Sequence, residues 1–452
     1  MSLTERIYDA SPVWMQNLLV SAYGRRLYQK RYSGIYNDIL QLVKASRDWT
    51  SEQANVYQAE RLHEMVKHCR ETVPYYQKLF ASHGLHENDF TSVEDVTRLP
   101  ILTKATLKEQ PEDFRSTGGD PFMVQHTSGS TGSPLELEVD EYTYKLAMAL
   151  LVDHEEAHGI PFGAPRATFA GRMIQPASRF KPPYSRLNRA ENQRIFSSYH
   201  LSAKTFPCYA EELDNFRPAE LIGYPSAISD LASHYIASGT KPGFRPSAVI
   251  TNSETLLGWQ RKKIEAVFGC TVFDYYGTAE YVLFASQDTD RTYRLNPVIG
   301  ITEVLPPSAA GLADNRLLAT TLTNRVMPLL RYEVGDTAEP TDRSSPTVVH
   351  QLARVNGRVD DYIELTDGLR VGRLDHVFKG VDELEEAQIV QDAADHCTIY
   401  IVVDNAHSEA AKARIKENFE KRVGHGLSVS IEQVSNIPRG KNGKFKNVVR
   451  AY

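Results

Sequence analysis

His126-Thr127-Ser128-Gly129-Ser130-Thr131-Gly132-Ser133-Pro134 lies between Phe122-Met123-Val124 and the alternating Leu135-Glu136-Leu137-Glu138-Val139. Both flanks read as strand, so the stretch is the tip of a β-hairpin-like loop. Gly129 and Gly132 let the backbone approach a ligand and take positive φ, which allows successive N–H groups to converge on one anion. Thr127, Ser128, Ser130 and Thr131 add hydroxyl donors suited to phosphate oxygens. A Walker A site is instead a strand-to-helix loop, and no GxxxxGK[ST] occurs in the chain. Alone, the stretch reads equally as a flexible Ser/Gly turn or as a phosphate cradle. The residues around it decide between the two.

The chain has 452 residues, 41% hydrophobic and 24% charged, which predicts a globular protein of two or three compact units. Its net charge of −6 argues against a nucleic-acid partner, which requires clustered Lys and Arg. Cys69, Cys208, Cys270 and Cys397 form no CxxC pair and no disulfide spacing, so they read as small apolar residues in a reducing compartment. There is no apolar run of transmembrane length and no signal-peptide pattern, and the expectation is a cytoplasmic protein.

Residues 1–120 read as a mainly helical extension packed on the core. Trp14, Leu18, Leu19, Tyr23, Leu27 and Tyr28 recur at helical spacing near Arg25, Arg26, Lys30 and Arg31. Such a basic segment suits a membrane surface, but packing on the main domain is the expected role. A helix from Ser51 ends near Val73-Pro74-Tyr75-Tyr76, where Pro74 breaks it. Leu99 to Lys104 is an extended entry to a helix capped by Thr103. Beyond the loop, Glu141–His158 reads as helix and Ala167–Gly171 as strand. Residues 208–222 and 226–238 read as helices around Gly223-Tyr224-Pro225-Ser226. Strands are expected at Pro246–Glu254 and Thr271–Tyr276, with a helix from Leu257 to Phe268 between them. This alternation predicts an α/β fold with mostly parallel sheets over residues 121–358. Ligands in such sheets sit at the carboxyl ends of strands, where Asn252-Ser253-Glu254 and Tyr276 to Glu280 fall. Residues 359–452 read as a small α+β unit, with strands near 388–392, 398–403 and 428–433 and a helix over 408–423.

Five motifs occur in order: the Ser/Thr/Gly loop, Tyr275-Tyr276-Gly277-Thr278-Ala279-Glu280, Arg331-Tyr332-Glu333-Val334-Gly335-Asp336, Gly357-Arg358-Val359-Asp360-Asp361 and Pro438-Arg439-Gly440-Lys441-Asn442-Gly443-Lys444. Together they resemble the core motifs of the adenylate-forming superfamily. The likeness is closest to the phenylacetate–CoA ligase branch and, within it, to the CapK-like proteins of polysaccharide gene clusters. Val73 to Tyr76, Phe169 to Arg172, Gly223 to Ser226 and Asn252 to Glu254 carry that closer likeness.

The resemblance implies a large α/β domain and a small mobile C-terminal domain. It implies a reaction in which a carboxylic acid and ATP give acyl-AMP and pyrophosphate, before acyl transfer to CoA or to a sugar hydroxyl or amine. Thr127, Ser128, Gly129, Ser130, Thr131 and Gly132 would hold the phosphates. Glu280 would hold Mg²⁺, a hard cation suited to an oxygen ligand. Asp336 would accept from the ribose hydroxyls. Ser253, Glu254, Tyr275, Tyr276, Gly277 and Thr278 would border the adenine, and Arg358 the ribose or phosphate. Lys444 would be the catalytic residue, its ammonium meeting charge at the α-phosphorus. Asp360 would be the hinge. Phe169, Gly171, Arg172, Tyr224, Pro225 and Ser226 would line the substrate pocket. Ser133, Ala279 and Glu333 depart from the wider family's pattern, removing a lysine, an α-phosphate hydroxyl and a basic residue respectively. The alternative from another class is a nucleotide-binding scaffold or regulator of a polysaccharide-synthesising complex.

Overall fold

The structure is a computed structural model that describes residues 3–126, 135–176, 178–306, 315–341, 347–358, 362–366, 370–371, 374–424, 427–440 and 444–451. A single 12-stranded sheet organises the larger part of the chain. Its parallel block runs Thr271–Gly277, Ala248–Thr251, Glu220–Gly223, Arg166–Phe169 and Gln193–Phe196. The parallel order is confined to these strands. Ser185–Asn188 closes one edge antiparallel, and the strands from Phe284–Gln287 to Gly300–Leu305 continue antiparallel on the other side. Thr271–Gly277 is therefore the seam, parallel to one neighbour and antiparallel to the other. Its carboxyl end carries the Tyr275–Glu280 motif.

The helices that cover the parallel block follow sequence signals closely. Glu141–Ala157 starts at Asp140, whose carboxylate accepts from the Thr143 N–H at 2.8 Å. Gly258–Phe268 ends at Gly269 in the left-handed conformation. Phe169, Phe196, Tyr209, Leu221, Ile228, Leu231 and Val249 pack together between helices and sheet. Burial of such residues on both faces of the parallel strands is what makes those strands short and almost wholly apolar.

Two readings change. Glu220–Gly223 is a strand, not the end of a helix. Its four residues are all buried, so neither helical nor alternating periodicity is present, and Glu220 obscures the apolar run. Glu220 is buried because Arg166 donates to it at 2.7 Å and also to Glu155 at 2.8 Å. Pro74 does more than break a helix. Ser51–Thr72, opened by a Thr50–Gln53 capping box, stops before Val73, and Pro74 is the first residue of a second helix, Pro74–His83.

The N-terminal helices do pack on the sheet. Val13–Tyr32 lies along the edge strand Ser185–Asn188, where Asn17 accepts from the Leu187 N–H at 3.0 Å and Ser21 donates to the Leu187 carbonyl at 3.1 Å. An exposed sheet edge invites pairing with other chains, and this helix covers it.

The C-terminal part forms its own four-stranded sheet. Glu386–Ala393 and His396–Val402 make a hairpin, with Ser428–Gln433 and Val448–Arg450 added parallel on either side. The helix Ser408–Val423 packs Ala411, Ile415 and Phe419 against Ile389, Ile399 and Ile401.

Candidate active site

Met123–His126 pairs antiparallel with Glu136–Val139, Met123 opposite Val139 and His126 opposite Glu136. The hairpin is as the sequence predicts. Its tip, with Thr127, Ser128, Gly129, Ser130, Thr131 and Gly132, lies outside the described residues, as does Asp360. Arg358 ends the strand Gln351–Arg358 opposite Asp336.

A cavity of about 1360 Å³ opens at the carboxyl end of the seam strand. It is lined by Ser253, Glu254, Tyr275, Tyr276, Gly277, Thr278, Glu280, Asp336 and Lys444. Residues from four separated motifs thus share one space. The strand's alternation sends Tyr275 and Tyr276 to opposite faces. Tyr275 stacks on Phe284 with ring centroids 5.2 Å apart, whereas the Tyr276 hydroxyl donates to Asp336 at 2.5 Å. The Thr278 hydroxyl is buried with no hydrogen-bond partner among the described residues, although it belongs to a cavity wall. An orphaned buried hydroxyl costs free energy unless a ligand satisfies it.

Glu280 is buried and accepts from the Tyr332 hydroxyl at 3.2 Å. Burial raises its pKa and the Asp336 charge adds to that, while Lys104 opposes it. Among the described residues no cluster of three His, Cys, Asp or Glu could hold a metal ion. A lone carboxylate of this kind fits a cation whose other ligands come from a bound anion and water.

Lys104 was not among the residues the motifs point to. It lines the cavity at the start of the helix Lys104–Glu109, just after Leu102 bridges to Tyr332. A cation at a helix N-terminus opposes the helix dipole, and that mismatch is the signal the sequence holds. Lys104 is a cation in the cavity of a chain whose loop carries Ser133 in the place of a lysine.

The expected substrate pocket needs correction. Phe169 is fully buried, stacked on Phe196 at 4.9 Å, because it is the last strand residue facing the helix layer. Gly171 presents its carbonyl to the Tyr199 hydroxyl, and Arg172 is exposed. Pro225 and Ser226 are buried in the first turn of the helix Pro225–Ser238. Tyr224 is not part of the cavity lining, although its ring is 5.9 Å from the Lys444 ammonium. The apolar cavity wall comes instead from Ala147, Met148, Leu151, Tyr281, Phe284 and Ile299.

Lys444 arrives from the C-terminal part, and its carbonyl accepts from the Gly440 N–H at 3.0 Å. Glu254 anchors the backbone just beyond it. Its carboxylate accepts from the Phe445 N–H at 2.6 Å and from the Ser226 N–H at 3.2 Å. Arg439 completes the contact, donating to the Ser226 hydroxyl at 2.6 Å and to Glu386 at 3.1 Å. The sequence places Glu254 at the adenine, and the structure adds this second engagement. Leu257 and Trp259 pack into the C-terminal core, which further fixes the two parts together.

The fold matches that of the adenylate-forming ligases. Its backbone is similar to that of 2-hydroxyisobutyryl-CoA ligase in the postadenylation state, with a TM-score of 0.67 at 19% identity, covering 87% of this chain and 88% of that one. The same ligase in its thioesterification state gives 0.52, covering 89% and 90%. In sequence the chain is similar to CapK and to the phenylacetate–CoA ligases. It is 26% identical to protein CapK of Staphylococcus aureus over 448 residues, 97% of each chain. It is 24% identical to phenylacetate–coenzyme A ligase of Escherichia coli (strain K12) over 329 residues, 69% of this chain and 72% of that one. Residues 364–451 match the CapK C-terminal domain.

Proposed function

We propose that the protein joins a carboxylic acid to the α-phosphate of ATP, releasing pyrophosphate, and then passes the acyl group to a nucleophile. One observation carries this reading: Lys444, borne by the small C-terminal sheet, enters a cavity whose other walls hold Thr278, Glu280, Tyr276 and Asp336. In the first step a carboxylate oxygen bonds to the α-phosphorus and the bond to the β-phosphate oxygen breaks. Negative charge gathers on the α-phosphoryl oxygens, where an ammonium and the Thr278 hydroxyl oppose it. Asp336, held by Tyr276, accepts from the ribose hydroxyls. The Ser/Thr/Gly loop and Lys104 hold the β- and γ-phosphates. Glu280 would hold Mg²⁺, which supplies charge neutralisation on the phosphates when bound.

The wall formed by Ala147, Met148, Leu151, Phe284 and Ile299 supports an apolar acyl group. The phenylacetate–coenzyme A ligases among the relatives support CoA as acceptor. A sugar hydroxyl or amine of a polysaccharide precursor is the alternative acceptor that the sequence resemblance implies. Carboxylate-dependent pyrophosphate release across a panel of acids, with CoA, amines and sugars as second substrates, tests the reading. Pyrophosphate release with at least one apolar acid is expected. Nucleotide binding without release under any acid would assign the chain to a scaffold role.

The domain arrangement seen here suits the first step, because Lys444 is already in the cavity. Glu254→Ala removes the acceptor of the Phe445 N–H and should slow acyl-adenylate formation by about ten- to a hundredfold, the usual range for hydrogen bonds to charged groups. Transfer from a saturating supply of acyl-adenylate should be slowed much less, since that step does not use the Phe445 contact. Equal slowing of both steps in single-turnover assays would sink the assignment.

A further inference from the structure

The helix Val13–Tyr32 turns several large apolar residues away from the protein. Its polar and small residues face the protein: Gln16 donates to the Tyr8 carbonyl at 2.8 Å and accepts from Arg186, Asn17 and Ser21 bind the edge strand, and Gly24 abuts the Asn188 side chain so closely that an added Cβ would lie 2.1 Å from it. These large apolar residues face solvent. Trp14 is 66% exposed, Leu18 60% and Tyr23 61%. The adjoining loop extends this face with Met173 and Phe180, 56% and 63% exposed, and is tied to the preceding helix by Tyr8 donating to the Ile174 carbonyl and Arg179 to the Asp9 carbonyl. Large apolar side chains exposed in this number along one helix and its neighbouring loop mark a surface suited to a contact.

Charge decides what covers it. The helix has no acidic residue, in a chain with 57 acids and a net charge of −6. Of its cations, Lys30 and Arg31 turn inward to the Phe122 carbonyl and Glu191, while Arg25 and Arg26 are exposed just beyond Tyr23. A second copy of the chain would pair the helix with itself and bring no acid from it to these arginines. An anionic bilayer supplies both what the apolar residues and what the arginines lack, and Trp and Tyr favour the boundary between its headgroups and acyl chains.

We propose that Val13–Tyr32 and the loop bearing Met173 and Phe180 rest on the surface of an anionic membrane. The helix lies in the plane of the interface. It does not cross, since no described helix is long and apolar enough to do so. Met173 directly follows Gly171-Arg172, so the loop that borders Tyr199 and Tyr224 would be held at the bilayer. Membrane contact is independent of the adenylation chemistry, and its test uses no turnover.

The experiment is co-sedimentation of the full chain with phosphatidylcholine vesicles, with and without phosphatidylglycerol. Partition should be about tenfold or more stronger with the anionic lipid and should weaken with added salt. The Trp14 emission should shift to the blue, and Trp14→Phe should remove that shift. Leu18→Glu, and separately the pair Arg25→Glu and Arg26→Glu, should each reduce partition about tenfold while circular dichroism and thermal unfolding stay unchanged. Failure to sediment with either vesicle overturns the proposal. So does a concentration-dependent dimer that Leu18→Glu dissociates, which would give the face to a second copy.

Discussion

Lys444→Ala is expected to cut carboxylate-dependent pyrophosphate release by about 10² or more while leaving nucleotide binding in place. The expectation follows from where the charge is needed. In the proposed reading the loop, Lys104 and a metal would already hold the ground-state phosphates, so one more ammonium would add little to binding. At the α-phosphorus the charge grows only as the carboxylate attacks, and Lys444 is carried to that side of the cavity, beside Tyr224. Its position is set by the Gly440 N–H bond to its carbonyl and by the Phe445 N–H held on Glu254. Lys446 is the internal control. It also lines the cavity, but its carbonyl serves the C-terminal sheet by accepting from Gln388 at 2.8 Å. Lys446→Ala should therefore change the rate by less than about threefold. Pyrophosphate release measured beside calorimetric nucleotide binding separates the cases, and undiminished release from the Lys444 variant would remove this residue from the chemistry.

Much of the architecture is legible in the letters because local and global preferences agree. The hairpin around the Ser/Thr/Gly loop shows in the alternation of Leu135 to Val139, and the helix after it in Asp140 and the Gly159–Pro161 stop. The C-terminal unit shows in its three strand segments and the helix over 408–423. Legibility fails at Glu220–Gly223, where burial on both faces erases any period and a buried glutamate breaks the apolar run. The arginine that makes the glutamate tolerable is Arg166, far away in the chain. The outward apolar side of Val13–Tyr32 is hidden for a related reason. Helical spacing shows that Trp14, Leu18 and Tyr23 are near one another, but not which side of the helix meets the protein.

The cavity was partly legible. Tyr275 to Glu280, Asp336 and Lys444 are found because each sits at a strand end or turn with its own punctuation. The acyl wall is not, because Ala147, Met148 and Leu151 are ordinary helix residues that look like any apolar stripe. Phe169 to Arg172 mislead for the opposite reason, since a strand end beside glycine resembles a pocket edge although Phe169 turns into the core. Glu254 can be found as a polar residue at a strand end, but its bond to Phe445 depends on a domain contact that no local pattern encodes.

Glu280→Gln separates a metal-holding carboxylate from a structural one. The side chain is buried and accepts from the Tyr332 hydroxyl, and its pKa is pushed up by burial and by Asp336. A carboxylate so placed carries a desolvation cost that a structural partner would have to offset. If Lys104 were that partner, the neutral variant would leave a half-buried ammonium unpaired and lower the unfolding temperature. If the offset comes only when a cation and phosphates bind, the variant keeps its shape and hydrogen bond and loses only the charge. The expected result is the second: unfolding temperature unchanged or raised, pyrophosphate release down by about 10², and a higher Mg²⁺ concentration needed for half-maximal rate. Lys104→Ala should then weaken nucleotide binding without lowering the unfolding temperature, because its ammonium answers the phosphates more than it answers Glu280. A lower unfolding temperature for Glu280→Gln together with an unaltered Mg²⁺ requirement would make the pair an ordinary buried salt bridge, and the cation would have to be held elsewhere.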